Sequence, residues 1–312
     1  MNFLSGLMSS MPGAIAQGLI WGIMAIGVYI TYKILDVADL TVDGSLCTGG
    51  AVCVILTLNG VPMWAALLLA FASGLLAGFV TGVLNAGFGI PPILAGILTQ
   101  LALYSVNLHI MGYGTDNGSK SNLPISVDKY SLIVSARYVR DLAMNNPIIV
   151  LLIFVVVIIA ILYWFFGTEI GAALRATGAN GNMARAQGIN TDKTKILGLM
   201  ISNAFVTLSG ALLAQYQGFA DVNMGRGAIV IGLAAVIIGE VIFGKIFRTF
   251  YLKLFGCVLG AIIYYVVIQI VLRMGLSTDD LKLLSALVVA LFLAVPYWKN
   301  RYAKKATVKG GN

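Results

Sequence analysis

The sequence predicts an all-α bundle of membrane-spanning helices, and three observations carry that expectation. Of 312 residues, 59% are hydrophobic and only 10% charged, against roughly 45–50% and about 25% in soluble globular chains. The mean hydropathy is +0.94, and so few charges cannot cover a water-facing surface. The apolar residues fall in continuous runs of about 20, the length that crosses a bilayer as a helix. The runs do not alternate in period two, which excludes a transmembrane β-barrel. Composition excludes disorder and coiled coil.

Nine candidate spans follow in order: 12–32, 45–59, 62–86, 92–111, 147–166, 194–217, 227–244, 250–272 and 280–298. The first 32 residues hold no Lys or Arg. The opening run thus lacks the basic start of a cleaved signal peptide and is read as a retained span. The second run, 45–59, is short and begins among Asp36, Asp39 and Asp43, the mark of a broken or partial helix. Pro91-Pro92 starts the fourth, because proline lacks a donor that the first helical turn leaves unused and presets φ. Residues 1–312 are read as a single transmembrane domain.

Basic residues orient the set. The tail, 299–312, carries Lys299, Arg301, Lys304, Lys305 and Lys309 with no acid and is placed in the cytoplasm. Nine spans then put 13 Lys and Arg inside and 7 outside, with the N-terminus outside. Segment 112–146 becomes the longest external loop, turn-rich over GYGTDNGSKSNLP and with a short surface helix expected over SARYVRDLAMNN. Segment 167–193 becomes the longest internal loop and reads as helix, turn, helix: AALRA, TGANGN, MARAQ, then GIN. The net charge of +8 is read as this loop bias and not as nucleic-acid binding.

Polar residues within spans tend to face the bundle or a cavity. Gln100, Tyr104 and Asn107 follow Thr99 and share one helix face. That face either lines a polar path or makes interhelical hydrogen bonds. Asn203 and Gln215, with Ser202 and Gln217, form a second polar set. Thr41, Asp43 and Ser45 in DLTVDGS (39–45) are path candidates if the chain is unwound at membrane depth, where only a protein or cavity covering tolerates it. The alternative is a simple cytoplasmic loop. Asp221 and Arg226 flank an outer span end, as an external gate, a contact for an external partner or a loop ion pair. Glu240 is an acid deep in an apolar run: a proton-coupling carboxylate, a partner for a substrate amine or, as its closeness to Lys245 and to the inner interface favours, a structural group.

The rows Gly74–Gly78–Gly82, Gly18–Gly22 and Gly256–Gly260 permit close helix packing. Cys47, Cys53 and Cys257 have no CxxC spacing and no nearby His, so they are read as packing residues, with no metal site or cofactor expected. Gly239 to Lys245 matches a phosphate loop as far as its lysine, but Ile246 stands where a Ser or Thr must hold magnesium. With one His, no HExxH and no GxSxG, no catalytic residues are assigned. An ion-gradient transporter would show inverted repeats and a buried acid with a partner, and neither is evident.

Segment 167–193 suits docking of a soluble partner. Arg175 and Arg185 would pair with its acids, and Gly178, Ala184 and Gly188 would allow close approach. NMARAQG (182–188), within RATGANGNMARAQGIN, resembles the cytoplasmic coupling helix of ATP-binding-cassette importers, with Asn182 where the usual signature has Glu. IPPILAGILTQLAL (90–103) and LSGALLAQYQGFADVNMGRGAIVIGLAAVIIGE (208–240) are similar to the branched-chain amino acid and ribose permease group. Together with DLTVDGS, the set looks closest to permeases that accompany lipoprotein-type binding proteins, assigned in several bacteria to tryptophan or tyrosine uptake.

The resemblance implies a type II importer permease in the bacterial inner membrane, in contact with lipid. Two permease subunits, here a second copy of this chain, would line one path. A separate ATPase subunit would contact Arg175, Ala176, Gly178, Asn180, Met183, Ala184, Arg185 and Gly188, and a periplasmic or lipid-anchored binding protein would deliver the solute. A neutral path with Gln100 and Tyr104 suits an aromatic amino acid, and equally a sugar or small peptide.

Overall fold

The computed structural model describes residues 3–115, 118–139 and 146–273, with 283, 286–291 and 294 of the final segment. The chain is helical almost throughout. Helix α1, Phe3–Tyr29, ends in a π-turn, Ile30–Ile34. Residues 35–41 are largely unwound, and α2 is Val42–Leu58. Helix α3, Met63–Gly82, also ends in a π-turn, Val83–Gly87, before α4, Pro92–Met111. Helix α5, Pro147–Gly167, leads into two short helices, α6 (Glu169–Ala179) and α7 (Gly181–Ala186). Then come α8 (Thr191–Gln217), α9 (Ala228–Phe243) and α10 (Phe250–Arg273).

Among the described residues, six helices are long and apolar enough to cross a membrane. Two more, α2 and α9, are apolar but have 17 and 16 residues. At about 1.5 Å per residue they span about 25 Å, short of a hydrocarbon layer of about 30 Å. The broken second span is thus found. The expected 227–244 span is found as the 16-residue α9, preceded by turns through 222–227. The expected count of nine is not reached among the described residues. Apart from the final-segment residues named above, span 280–298 lies outside them, and the whole 299–312 tail does too.

Helix α8 is the hub. Every residue from Ser202 to Tyr216 is buried, so this stretch has no lipid face. Helices α1, α2 and α3 pack around it. The α3 glycine row lets α3 lie close against α8, as Gly49 and Gly210 do between α2 and α8. A Cβ on Gly78 would overlap the Leu199 carbonyl, and one on Gly82 would meet Ile196 Cα at 2.8 Å. The other glycine rows are also used within the chain, Gly22 against Val258 of α10 and Gly260 against Ala235 of α9. Hydroxyls of α8 donate across the seam to α1 carbonyls, Ser202 to Gly27 at 2.7 Å and Ser209 to Ile20 at 2.8 Å. Such bonds contribute roughly 0.6–2 kcal/mol each within a bilayer.

One end of the bundle carries α6 and α7. The other carries residues 112–139 and the segment after α8. There β1, Asn122–Pro124, pairs antiparallel with β2, Phe219–Asp221, with Asn122 opposite Asp221. This replaces part of the turn-rich loop with a strand whose partner is distant in sequence. Of the surface helix expected over 135–146, the described residues form a 3₁₀ turn, Ala136–Tyr138, and 140–145 lie outside them.

The α3–α8 contact predicts that Gly78→Leu is not tolerated. Overpacking of a filled core costs about 1–3 kcal/mol or more, so the expected result is lost monodispersity and a lower thermal unfolding midpoint in detergent. Gly87→Ala, where the nearest atom is Val83 Cγ1 at 3.5 Å, should leave both unchanged.

Candidate functional site

A buried polar network occupies the middle of the bundle. After the π-turn of α1, Asp36 adopts φ +55° and turns the chain back, a conformation that Asp tolerates better than most residues. Three residues on, Asp39 is 2% exposed. Its carboxylate accepts from the Thr41 backbone N–H at 2.9 Å and from Asn203 Nδ2 at 2.7 Å. Asn203 Oδ1 in turn accepts from Ser45 Oγ at 2.7 Å. Thr41 and Thr81 hydroxyls lie 2.8 Å apart, and Thr81 donates to Thr99 at 2.9 Å. The network therefore joins the unwound stretch to α2, α3, α4 and α8. Asn203 lies 12 residues into α8, about 18 Å along it, where an unpaired polar group would be costly.

Just beyond this network, Asp43 caps a helix far from it in sequence. Its two carboxylate oxygens accept from the backbone N–H groups of Gly227 at 3.0 Å and Ile229 at 2.9 Å. These are orphan donors of the first turn of α9, and an acid there also suits the helix dipole. The N-termini of the two short helices thus meet inside the bundle, an arrangement found at solute sites in transporters.

Beside that junction is a cavity of about 250 Å³ between α2, α4 and the turns before α9. Asp43, Gln100, Tyr104, Asn107 and Arg226 line it, with Leu101 and Val222 as apolar walls. Gln100, Tyr104 and Asn107 share the α4 face expected from their spacing. Thr41, Ser45, Thr99 and Asn203 belong to the neighbouring buried network and do not line the cavity. Gln215 lies apart. It is fully buried, accepts from the Ile133 N–H at 3.2 Å and donates to Cys53 Sγ at 3.4 Å, so it ties the 112–139 segment to the bundle. Asp221 also lies apart, held by Asn122 and by the Asn223 N–H. It does not pair with Arg226.

At the far end, three side chains cap α6, α7 and α8 in turn. Thr168 accepts from the Gly171 N–H, Asn180 from Met183 and Asn190 from Lys193. Asn180 is thus the break between α6 and α7, as the TGANGN punctuation indicates. Gly188, at φ +82°, ends the element. Asn180, Met183, Arg185 and Gly188 are exposed, while Ala184 is only 3% exposed. Gly178 packs against the Ile34 carbonyl and Leu35 Cα of the same chain. The small residues Gly178 and Ala184 are thus engaged in packing within this chain. Arg175 is exposed and donates to the Phe166 carbonyl at 2.9 Å, and Ala176 is half-buried beside it. Arg185 bonds Thr191 at 2.6 Å and Asp192 at 3.1 Å.

Sequence reasoning missed Asp39, although its D-x-T spacing to Thr41 signals a side chain that accepts from the backbone two residues on. It also gave Glu240 the wrong neighbour. Glu240 pairs with Lys33 of α1 at 2.8 and 3.0 Å, both side chains about half exposed at 45% and 52%. The three cysteines are free and buried.

Residues 10–296 match the family described as branched-chain amino acid transport system / permease component. The chain is 41% identical over 287 residues to the tyrosine transport system permease protein of Clostridioides difficile (strain R20291), covering 92% of this chain and 91% of that one. It is 33% identical over 285 residues to an uncharacterized protein of Rickettsia prowazekii (strain Madrid E), covering 90% and 95%. It is 29% identical over 248 residues to an autoinducer 2 import system permease protein of Yersinia pseudotuberculosis (serotype O:1b, strain IP 31758), covering 77% and 64%. With matches running over nearly its whole length, the chain belongs to the family of branched-chain amino acid transport system permease components, as a multi-pass protein of the bacterial inner membrane.

Proposed function

We propose that this chain forms the membrane path of an ATP-driven importer for an amino acid, with an aromatic one such as tyrosine or tryptophan favoured. The observation that carries the reading is mechanical. Helix α6 packs through Gly178 on Ile34 and Leu35, where α1 gives way to the unwound stretch that leads to Asp39. A push on α6 and α7 therefore reaches the polar centre through one contact.

In this reading 167–193 is cytoplasmic and 112–146 external. The placement is supported by Lys33, Arg175 and Lys253, which gather at the α6–α7 end, since basic residues favour the cytoplasmic side. A separate ATPase subunit docks on the outward surface of α7, at Asn180, Met183 and Arg185, with Arg175, Ala176 and Gly188 at its margin. ATP is hydrolysed on that partner. Its closure shifts the population between two packings of the bundle, one open to each side. A binding protein, periplasmic or lipid-anchored, delivers solute at the opposite end, near Asp221. A second copy of this chain completes the path beside α4, whose Leu98 and Leu101 are exposed. The tyrosine permease of Clostridioides difficile supports the choice of solute. A second reading, the same machinery with a different small solute, rests on the autoinducer 2 import relative.

Reversal of charge in Arg185→Glu, or a charge placed on the exposed apolar surface in Met183→Asp, should lower co-purification of the ATPase about tenfold, as loss of an interface anchor does. Unchanged co-purification and uptake in both would remove α7 from the interface. Gly178→Leu should keep the ATPase bound yet lower uptake several-fold, measured in proteoliposomes. Uptake in cells should survive an uncoupler and stop on ATP depletion; the reverse pattern would assign the energy to an ion gradient.

A further inference from the structure

The cavity between α2 and α4 holds a buried acceptor that the fold leaves unused. Asn107 is 1% exposed, and its Nδ2 donates to the Gly44 carbonyl at 3.3 Å. That bond orients the amide, and Oδ1 is left buried without a hydrogen-bond partner. An unpaired buried acceptor is costly, whereas the nearby oxygens of Asp39, Ser45, Thr81 and Thr99 all take part in hydrogen bonds. Arg226 lines the same cavity. Among the described residues no carboxylate lies within 4 Å of its guanidinium, a fork that matches a carboxylate in two places. Asp43 also faces the cavity. Each of its oxygens receives one N–H, and a carboxylate keeps further lone pairs for a cation.

We propose that this cavity recognises the zwitterionic head of an α-amino acid in transit. Arg226 takes the carboxylate. Asn107 Oδ1 and Asp43 take the ammonium. The side chain lies along Leu101 and Tyr104. This rests on the import reading for the solute being an amino acid, and it makes Arg226 a solute contact instead of an outer gate. A sugar carries neither charge: its hydroxyls could hydrogen-bond Asn107 and Arg226 but would give the guanidinium and the Asp43 carboxylate no counter-charge, which disfavours it.

The test uses the full chain in lipid nanodiscs, with thermal stabilisation as the readout. The probes are L-tyrosine, L-leucine, tyramine (no carboxylate), 3-(4-hydroxyphenyl)propionate (no amine) and D-ribose. Both amino acids should stabilise the chain, the two truncated analogues should half-saturate at least about tenfold higher, and D-ribose should have no effect. Arg226→Gln should abolish discrimination between L-tyrosine and tyramine, and Asn107→Leu should shrink that between L-tyrosine and the amine-free acid. Arg226 is exposed, so its variant keeps the test alive if Asn107→Leu fails to fold. No stabilisation by either amino acid, an equal response to D-ribose, or wild-type discrimination in the folded variants overturns the proposal. Parallel uptake assays with ATPase and binding protein separate the two readings. Binding as expected without ATP-driven uptake overturns only the import reading, and uptake with undisturbed discrimination in the variants overturns only this one.

Discussion

Asn203 of α8 holds together parts of the chain that would otherwise have no reason to meet. Its amide donates to the Asp39 carboxylate and accepts from Ser45. The stretch 35–41 leaves the helical ladder inside the bundle, and a carboxylate there must find donors from the protein. Asn203 and the Thr41 N–H provide them. With that stretch held, α2 starts deep in the bundle, and Asp43 in its first turn reaches the N-terminus of α9. The cavity between α2 and α4 is a consequence of this sequence of contacts.

The two shorter helices, α2 and α9, both begin at buried residues, Val42 and Ala228, and each leaves backbone N–H groups at that start. For α9 these donors are answered by Asp43. At Gly74, Gly78 and Gly82 of α3 no side chain fits against α8, so these glycines set how closely the two helices pack. Close backbone approach brings Thr81 within reach of both Thr41 and Thr99.

The α6–α7 end is linked to this centre by steric contact, with few charges involved. Gly178 lies on Ile34 and Leu35, and Leu35 also reaches Gly198 of α8. The exposed Lys33–Glu240 pair nearby joins α1 to α9, but half-exposed pairs contribute little, about 0–1 kcal/mol. In the proposed importer, packing of small residues, and not ion pairing, carries a displacement from that end.

Read alone, the amino-acid sequence determined the fold class, the helix breaks at Asn180 and Pro91, and the shared face of Gln100, Tyr104 and Asn107. These are properties of hydropathy, capping and helical period, which act within a few turns of chain. Tertiary structure alone decided that Asp43 caps α9, that Glu240 pairs with Lys33, that Gln215 serves the 112–139 segment, and that residues 122–124 form a strand. Each depends on a partner between 82 and 207 residues away or, for the strand, on residues 219–221. A polar atom buried in lipid must be satisfied by whatever lies beside it, and only the assembled bundle sets what that is.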